Sequence, residues 1–252
     1  MSFAVAAEAY DRFMGRYSTP LAAPFADFAG VAAGQKALDV GCGPGALTAT
    51  LAERVGSASV AAVDPSEPFV SAIAQRLPEV SVQQASAESL PFEDDSFDAA
   101  LAQLVVHFMR DPVAGLKEMR RVTRAGGIVA ASVWDHGGDQ GPLNLYWDAV
   151  RELDPSNRGE SELAGATRGA LTRLFEEAGL EEVEEEPLSV EVEHETFDEW
   201  WEPYTLGVGP AGAYVAALDP ERRERLREIC RTRLPDAPFV ISARAWCARG
   251  RA

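Results

Sequence analysis

The stretch ALDVGCGPGALTATLAERVG, residues 37–56, constrains this chain more than any other. A short apolar run, Ala37–Val40, meets Gly41, Gly43 and Gly45, and a helix-like pattern follows from Leu47. Glycine permits a sharp turn out of a strand and lets a ligand approach bare backbone. The next helix opens with free N–H groups and the positive end of its dipole, which suits a carboxylate or a phosphate. Alone, such a turn only joins a strand to a helix. It gains weight from Asp64, which ends the next apolar run. In nucleotide-binding sheets an acid about 20 residues beyond the glycines accepts hydrogen bonds from the ribose. The plainer role for Asp64 is a cap or turn in Asp64-Pro65-Ser66; the two features in register favour the ribose.

The rest of the first half repeats this alternation. Apolar runs at 59–64, 80–85, 97–106 and 126–134 read as strands, with helical patterns at 66–77 and 113–123 between them. Strands that are apolar on both faces, separated by helices, imply a parallel sheet covered on both sides. Right-handed crossovers then bring the carboxyl ends of the strands to one edge, where ligands bind in such sheets. Beyond Trp134 the pattern changes. DHGGDQGP is a loop, helices are expected near 143–153 and 167–178, and Gly179 reads as the C-cap of the second. Leu188, Val190 and Val192 alternate with Ser189, Glu191 and Glu193, as in a half-exposed strand. An amphipathic helix comes after Asp219-Pro220, and FVISARAWCARG reads as a last strand.

Composition narrows the ligand. A formal charge of −17 repels nucleic acid and anionic lipid. The densest basic segment, ERRERLREICRTR, interleaves glutamates at helical spacing and reads as a solvated helix face. Three cysteines without metal-ligand spacing fit a reducing compartment, and no metal is expected. The N-terminus lacks the basic and apolar segments of a secretory signal, and no apolar run reaches membrane-spanning length. A cytoplasmic protein is expected, with a small-molecule partner and neither nucleic acid nor membrane.

Gly41, Gly43 and Ala46 satisfy the relaxed dinucleotide pattern, so a nicotinamide-dependent oxidoreductase is one reading. The segment also reads Gly-x-Gly-x-Gly, with Asp39 inside the preceding strand. In that form LDVGCGPG resembles the first motif of class I S-adenosylmethionine-dependent methyltransferases. VDPSEPFV resembles their second, SAESLPFEDDSFDAAL the segment entering their fourth strand, and LKEMRRVTRAGGIVAASVW the run into their fifth. The resemblance spans roughly 10–134 and is nearest to the small-molecule branch that includes ubiquinone- and menaquinone-biosynthesis methyltransferases.

That resemblance implies a Rossmann-like, doubly wound α/β fold with a seven-stranded, mostly parallel sheet whose last strand runs antiparallel. One domain would occupy 1–252: an N-terminal helical lid (1–30), a cofactor-binding core (31–134), and a remainder (135–252) carrying a substrate lobe, mainly 140–165 and 196–236. The cofactor would be S-adenosylmethionine, leaving as S-adenosylhomocysteine. Gly41 and Gly43 would pass under its methionine, with Asp39 helping to hold the ammonium. Asp64, with Pro65 beside it, would take the ribose hydroxyls; Ser66 and Phe69 would line the adenine, and Ala87 and Glu88 its edge. Ser86 stands where many relatives carry aspartate, a weaker acceptor for the adenine amino group. Gln103 and Leu104 would face the reactive methyl. Tyr10, Arg16 and Tyr17 would cover the cofactor, with Arg16 available to its carboxylate.

Methyl transfer from a sulfonium needs alignment more than acid–base help, so no residue is an obligatory catalyst. A non-catalytic S-adenosylmethionine-binding protein is therefore a further reading. A base is required only if the acceptor must first lose a proton. His107, expected to end the fourth strand at the ligand edge, is the candidate, or else it caps the loop there; His136 comes second. His194, in the acidic outer strand, reads as a surface residue. Trp134, Trp200, Trp201 and Tyr204 would line an acceptor pocket or build the core of the added lobe. The acceptor is expected to be small and neutral or apolar.

Overall fold

The computed structural model describes residues 7–252, so the expectation about a secretory signal falls partly on residues 1–6, outside the described residues. Seven strands form one sheet in the order β3-β2-β1-β4-β5-β7-β6. They are β1 (Ala37–Val40), β2 (Val60–Asp64), β3 (Ser81–Gln84), β4 (Phe97–Gln103), β5 (Thr123–Trp134), β6 (Glu181–His194) and β7 (Phe239–Arg251). β1 pairs in parallel with β2 and β4, as do β2 with β3 and β4 with β5. β7 enters between β5 and β6 and runs antiparallel to both. The expected α/β architecture, with FVISARAWCARG as the reversed strand, is what the chain adopts.

Successive residues of the inner strands feed opposite cores, as the two-residue period of a strand requires. Ala37, Val60, Ala62, Ala99 and Leu101 join one apolar cluster; Leu38, Val40, Ala61, Val63 and Ala100 join the other. Helices α2 (Arg16–Phe28) and α3 (Ala46–Val55) cover the first face through Leu21, Phe25, Leu47 and Leu51; α4 (Glu67–Arg76) adds Ile73. α5 (Pro112–Val122) and α7 (Ala170–Glu177) cover the second through Leu116, Met119, Leu171 and Phe175. Burial on both faces explains why these strands carry little polar patterning. β6 is the opposite case, and its glutamates stay largely in solvent.

Helix starts obey local capping chemistry. Asp111 accepts from the Ala114 amide at 2.9 Å, with Pro112 opening α5. Asp219 accepts from Arg222 at 2.8 Å and Pro220 opens α10 (Pro220–Arg233). Thr196 accepts from Glu199 at 3.1 Å and starts α8 (Phe197–Trp201). Such caps are each worth about 1 kcal/mol. The N-terminal segment is helical but not uniform: α1 (Ala7–Tyr10) runs through a widened π turn, Asp11–Gly15, before α2 begins.

Strand order reverses around β1, whose neighbours β2 and β4 lead away in opposite directions. The carboxyl edge beside such a reversal is where open α/β sheets bind ligands. The loop after β1 lies there, with Gly41 and Cys42 both donating to the Val63 carbonyl, at 2.8 and 3.0 Å. On the far side, the chain after β5 is fastened to β7 by Asp135, which accepts from Gly138 N at 2.9 Å and from Arg244 Nε at 2.8 Å. Between β5 and β6 lie α6 (Asn144–Leu153) and α7; between β6 and β7 lie α8, α9 (Gly209–Ala217) and α10.

Two glycines of the loop answer to different constraints. Gly41 has a φ of +73° and a Cβ there would stand 2.5 Å from both methyls of Val105. Gly43 has a φ of +52° but none of the described residues lies within 4 Å of where its Cβ would be. Both lose about 1–2 kcal/mol on becoming alanine through the left-handed backbone, and Gly41 loses a further 1–3 kcal/mol or so through overpacking. Gly41→Ala is therefore expected to lower the urea midpoint clearly more than Gly43→Ala; equal losses would remove the Val105 contact from the account.

Candidate functional site

The carboxyl edge of β1, β2 and β4 gathers most of the residues singled out by sequence. Asp39 is fully buried; Thr48 Oγ1 donates to its Oδ2 at 2.6 Å, while Oδ1 has no hydrogen-bond partner among the described residues. Burial pushes its carboxyl up to about 7, Thr48 pulling it down and the Asp64 charge adding to the rise. Asp64, at the end of β2, accepts from Gly43 N at 2.9 Å and from Ser66 N at 2.8 Å. Burial raises its carboxyl too, against those two amides. Each of its oxygens keeps a further lone pair for a ligand hydroxyl. The Pro65 carbonyl accepts from Gln84 Nε2 at 2.9 Å, and Ser66 precedes α4, which carries buried Phe69.

β4 ends at Gln103, earlier than the sequence suggests. Gln103 donates to the Ser18 carbonyl at 2.9 Å, fixing the N-terminal segment to the site, and its Oε1 is buried without a partner among the described residues. Leu104 then adopts a φ of +63°, a strained conformation for a branched aliphatic residue. Its amide donates to the Ser132 carbonyl at 2.9 Å, and its side chain turns into an apolar cleft. His107 consequently lies beyond the strand, in the single turn Val106–Phe108.

The cleft, about 440 Å³ with its opening to solvent included, lies between the N-terminal segment, the loops after β4 and β5, and the start of α9. Phe13, Met14, Phe108, Leu143 and Pro210 supply apolar wall; His107, His136 and Glu160 supply polar atoms, with Tyr10 and the Trp134 indole also in the lining. Among the described residues, Nδ1 of both histidines is buried and unpartnered. Burial drives the His107 imidazole well below its ordinary range, with His136 adding to the effect, and takes His136 to about 4. Both are neutral at physiological pH.

Tyr10 lines this cleft and meets Phe69 edge-on at 5.5 Å, so it bridges the cleft and the expected adenine side. Arg76 donates to the Pro44 carbonyl at 3.1 Å and pairs with Asp11 at 2.8 Å, holding the segment against the glycine loop. Arg16 and Tyr17, expected to cover the cofactor, both contact His194. Arg16 pairs with Glu199 and meets His194 Nδ1 at 2.9 Å, while the Tyr17 hydroxyl meets His194 Nε2 at 3.1 Å. His194 is therefore no surface residue but 1% exposed, its imidazole taken to about 4 by burial, with the Arg16 cation lowering it further against Glu199. The network joins the N-terminal segment to β6 and α8 and leaves the Arg16 cation already paired.

Glu88 also has local work: it accepts from Arg110 N at 2.8 Å, and backbone amides outweigh burial to hold its carboxyl low. Ala87 is buried beside it, and Ser86 bridges to Ser89. Trp200, Trp201 and Tyr204 pack among themselves and with Phe197, in the core rather than the cleft; of the four aromatics only Trp134 lines it. Glu160 escaped the sequence reading. It sits in a polar stretch, NRGESELAG, where no period or motif separates it from its neighbours.

The edge suits a ligand carrying a cation, a diol and an apolar ring. A buried carboxylate oxygen without a donor, open space over Gly43 and an acid with spare lone pairs match the ammonium, backbone and ribose of S-adenosylmethionine. Residues 38–131 match the model of the methyltransferase domain. An uncharacterized methyltransferase of Mycobacterium bovis, Mb3374, is 37% identical over 61% of this chain and 57% of its own. A demethylmenaquinone methyltransferase of Bacillus cereus is 33% identical over 62% of this chain and 74% of its own. The chain spans 31% and 57% of the length of the first curated relatives it matches. The crystal structure of the YcgJ protein from Bacillus subtilis superposes with a TM-score of 0.58, at 21% identity, over 93% of this chain and 97% of that one. Nothing among these favours a nicotinamide-dependent oxidoreductase. The chain belongs to the class I S-adenosylmethionine-dependent methyltransferases.

Proposed function

We propose that this protein transfers a methyl group from S-adenosylmethionine to a small, mainly apolar acceptor. The observation that carries this reading is Asp39: a fully buried carboxylate whose Oδ1 has no partner among the described residues, at the switch point and beside the glycine loop. An unpaired buried carboxylate is costly unless a cation meets it, and the methionine ammonium is that cation. Asp64 would hold the ribose hydroxyls, Phe69 and Tyr10 would close on the adenine, and Ala87 with Ser86 and Glu88 would lie along its edge. When bound, S-adenosylmethionine supplies an electrophilic methyl with a good leaving group.

The protein's own part is alignment and exclusion of water. Leu104 and Gln103 sit where β4 meets both the glycine loop and the cleft, so they would set the direction from which an acceptor approaches. The core 31–134 would hold the cofactor, and the segments after β5 and β6 would wall the acceptor site. The apolar lining supports an acceptor that leaves little charge to desolvate. A relative named demethylmenaquinone methyltransferase supports the same class. Among the described residues no helix is long and apolar enough to cross a membrane.

A thermal-shift comparison of S-adenosylmethionine, S-adenosylhomocysteine and NAD tests the reading directly. A ligand at one hundred times its Kd adds about 2.7 kcal/mol of stability. Stabilisation by NAD alone would overturn the assignment.

Two residues make the cofactor assignment specific. Asp64→Ala removes charge-assisted hydrogen bonds worth roughly 1.5–3 kcal/mol, so affinity for S-adenosylhomocysteine should fall about ten- to hundredfold in a folded protein. Unchanged affinity by calorimetry would exclude the ribose role. Asp39 makes binding depend on pH. Its carboxyl is raised to about 7, so ionisation, and with it ammonium binding, increases as pH rises from 6 to 7.5. Affinity for S-adenosylhomocysteine should rise several-fold over that window, and Asp39→Asn should abolish the rise. The ligand-free fold responds with opposite sign: a carboxyl raised above its unfolded value of about 4 contributes stability at acid pH that is lost as pH rises through 7.

A further inference from the structure

Glu160 is the least explained side chain of the cleft. It is 4% exposed, and Trp147 Nε1, at 2.9 Å, is its one hydrogen-bond donor among the described residues. With His136 it lines not only the apolar cleft but also a second, smaller chamber shared with Asn144 and Arg151. The two side chains thus stand where an apolar space gives way to a polar one. His136 and His107 face each other with ring centroids 6.2 Å apart.

A carboxylate offers about four acceptor sites, and this one has a single donor. Anchoring Trp147 would need only an amide oxygen, without a buried acid, so the carboxylate itself asks for a further donor. We propose that Glu160 is the seat for a hydroxyl on the acceptor, which is a neutral aromatic molecule bearing that hydroxyl. The inference rests on the methyltransferase reading for the word acceptor, but not for the seat.

The surroundings select a neutral donor over an ammonium. Beside Glu160 the cleft presents two imidazoles that burial keeps uncharged, together with the neutral Tyr10 side chain and the neutral Trp134 indole. Burial also lifts Glu160 itself to about 7, with Trp147 opposing the rise, so the site resists charge of either sign. Arg151, the cation of the second chamber, is already paired with Asp148. A hydroxyl brings a hydrogen to the carboxylate without an ion to desolvate, and Phe13, Phe108 and Trp134 give its ring an apolar wall. A protonated amine would cost more to bury and would arrive without the lone pair that methylation requires.

The test uses 2-naphthol, 2-methoxynaphthalene and 2-naphthylmethylamine as probes, titrated calorimetrically with and without S-adenosylhomocysteine. Wild type should bind 2-naphthol at least tenfold more tightly than the ether, which has the same ring and no hydrogen to give. Glu160→Gln keeps an oxygen for Trp147 but offers the probe N–H groups that naphthol and ether satisfy alike. That variant should hold S-adenosylhomocysteine as wild type does and bring the two probes within threefold. Equal binding of naphthol and ether by wild type overturns the seat, as does a preference that survives in Glu160→Gln or a preference for the amine. If Glu160→Gln fails to fold, the wild-type comparison decides alone. Wild type that prefers naphthol but ignores S-adenosylhomocysteine would sink the methyltransferase reading and leave the seat in place.

Discussion

The site depends on one close contact between backbone and side chain. Gly41 leaves β1 in a left-handed conformation with Val105, just past β4, lying where a Cβ would be. That contact locks together the loops on either side of the point where strand order reverses. Because the loops interlock, the amides of Gly41 and Cys42 reach the Val63 carbonyl, and Gly43 reaches Asp64. Leu104 is pressed into its own left-handed conformation on the other side. Strain of this kind persists only where packing over-determines it, and here two loops from non-adjacent segments supply the packing.

Electrostatics gives the same edge its chemical bias. The chain carries a formal charge of −17, yet Asp39, Asp64 and Glu160 are buried rather than displayed. Burial lifts all three carboxyls, and it holds the cleft imidazoles neutral. The result is a region poor in resident cation: Arg16 is spent on Glu199, and Arg76 on Asp11 and a carbonyl. Positive charge on a ligand beside Asp39 and Asp64 therefore has acids to meet and little to repel it.

Sequence carried the fold well because its signals were local. The apolar period of β1 and β2, the glycines between strand and helix, and the acid closing β2 are each set by a few neighbours, and each reappears in place. What depended on long-range packing was not legible. The partners of His194 stand more than 170 positions away, so a histidine between glutamates looked exposed. Arg16 is drawn to Glu199 across a similar separation. For Trp200 and Trp201 the sequence allows pocket or core, and only the tertiary position of α8 decides for core. Glu160 carried no signal because its importance comes from Trp147 and the cleft, not from the residues beside it.

The widened turn at Asp11–Gly15 has a geometric effect on the residues flanking it. Tyr10 and Tyr17 are seven positions apart, two turns of a regular helix, and would point the same way within about 20°. Inserting one residue into a turn rotates the rest of the helix by about 100°. Tyr10 accordingly meets Phe69, while Tyr17 meets Trp134 and His194. The π turn works as a rotational joint, and one continuous stretch of chain thereby addresses two different walls of the molecule. A single-residue deletion within 11–15 would realign the two tyrosines into one stripe and leave one wall without its ring.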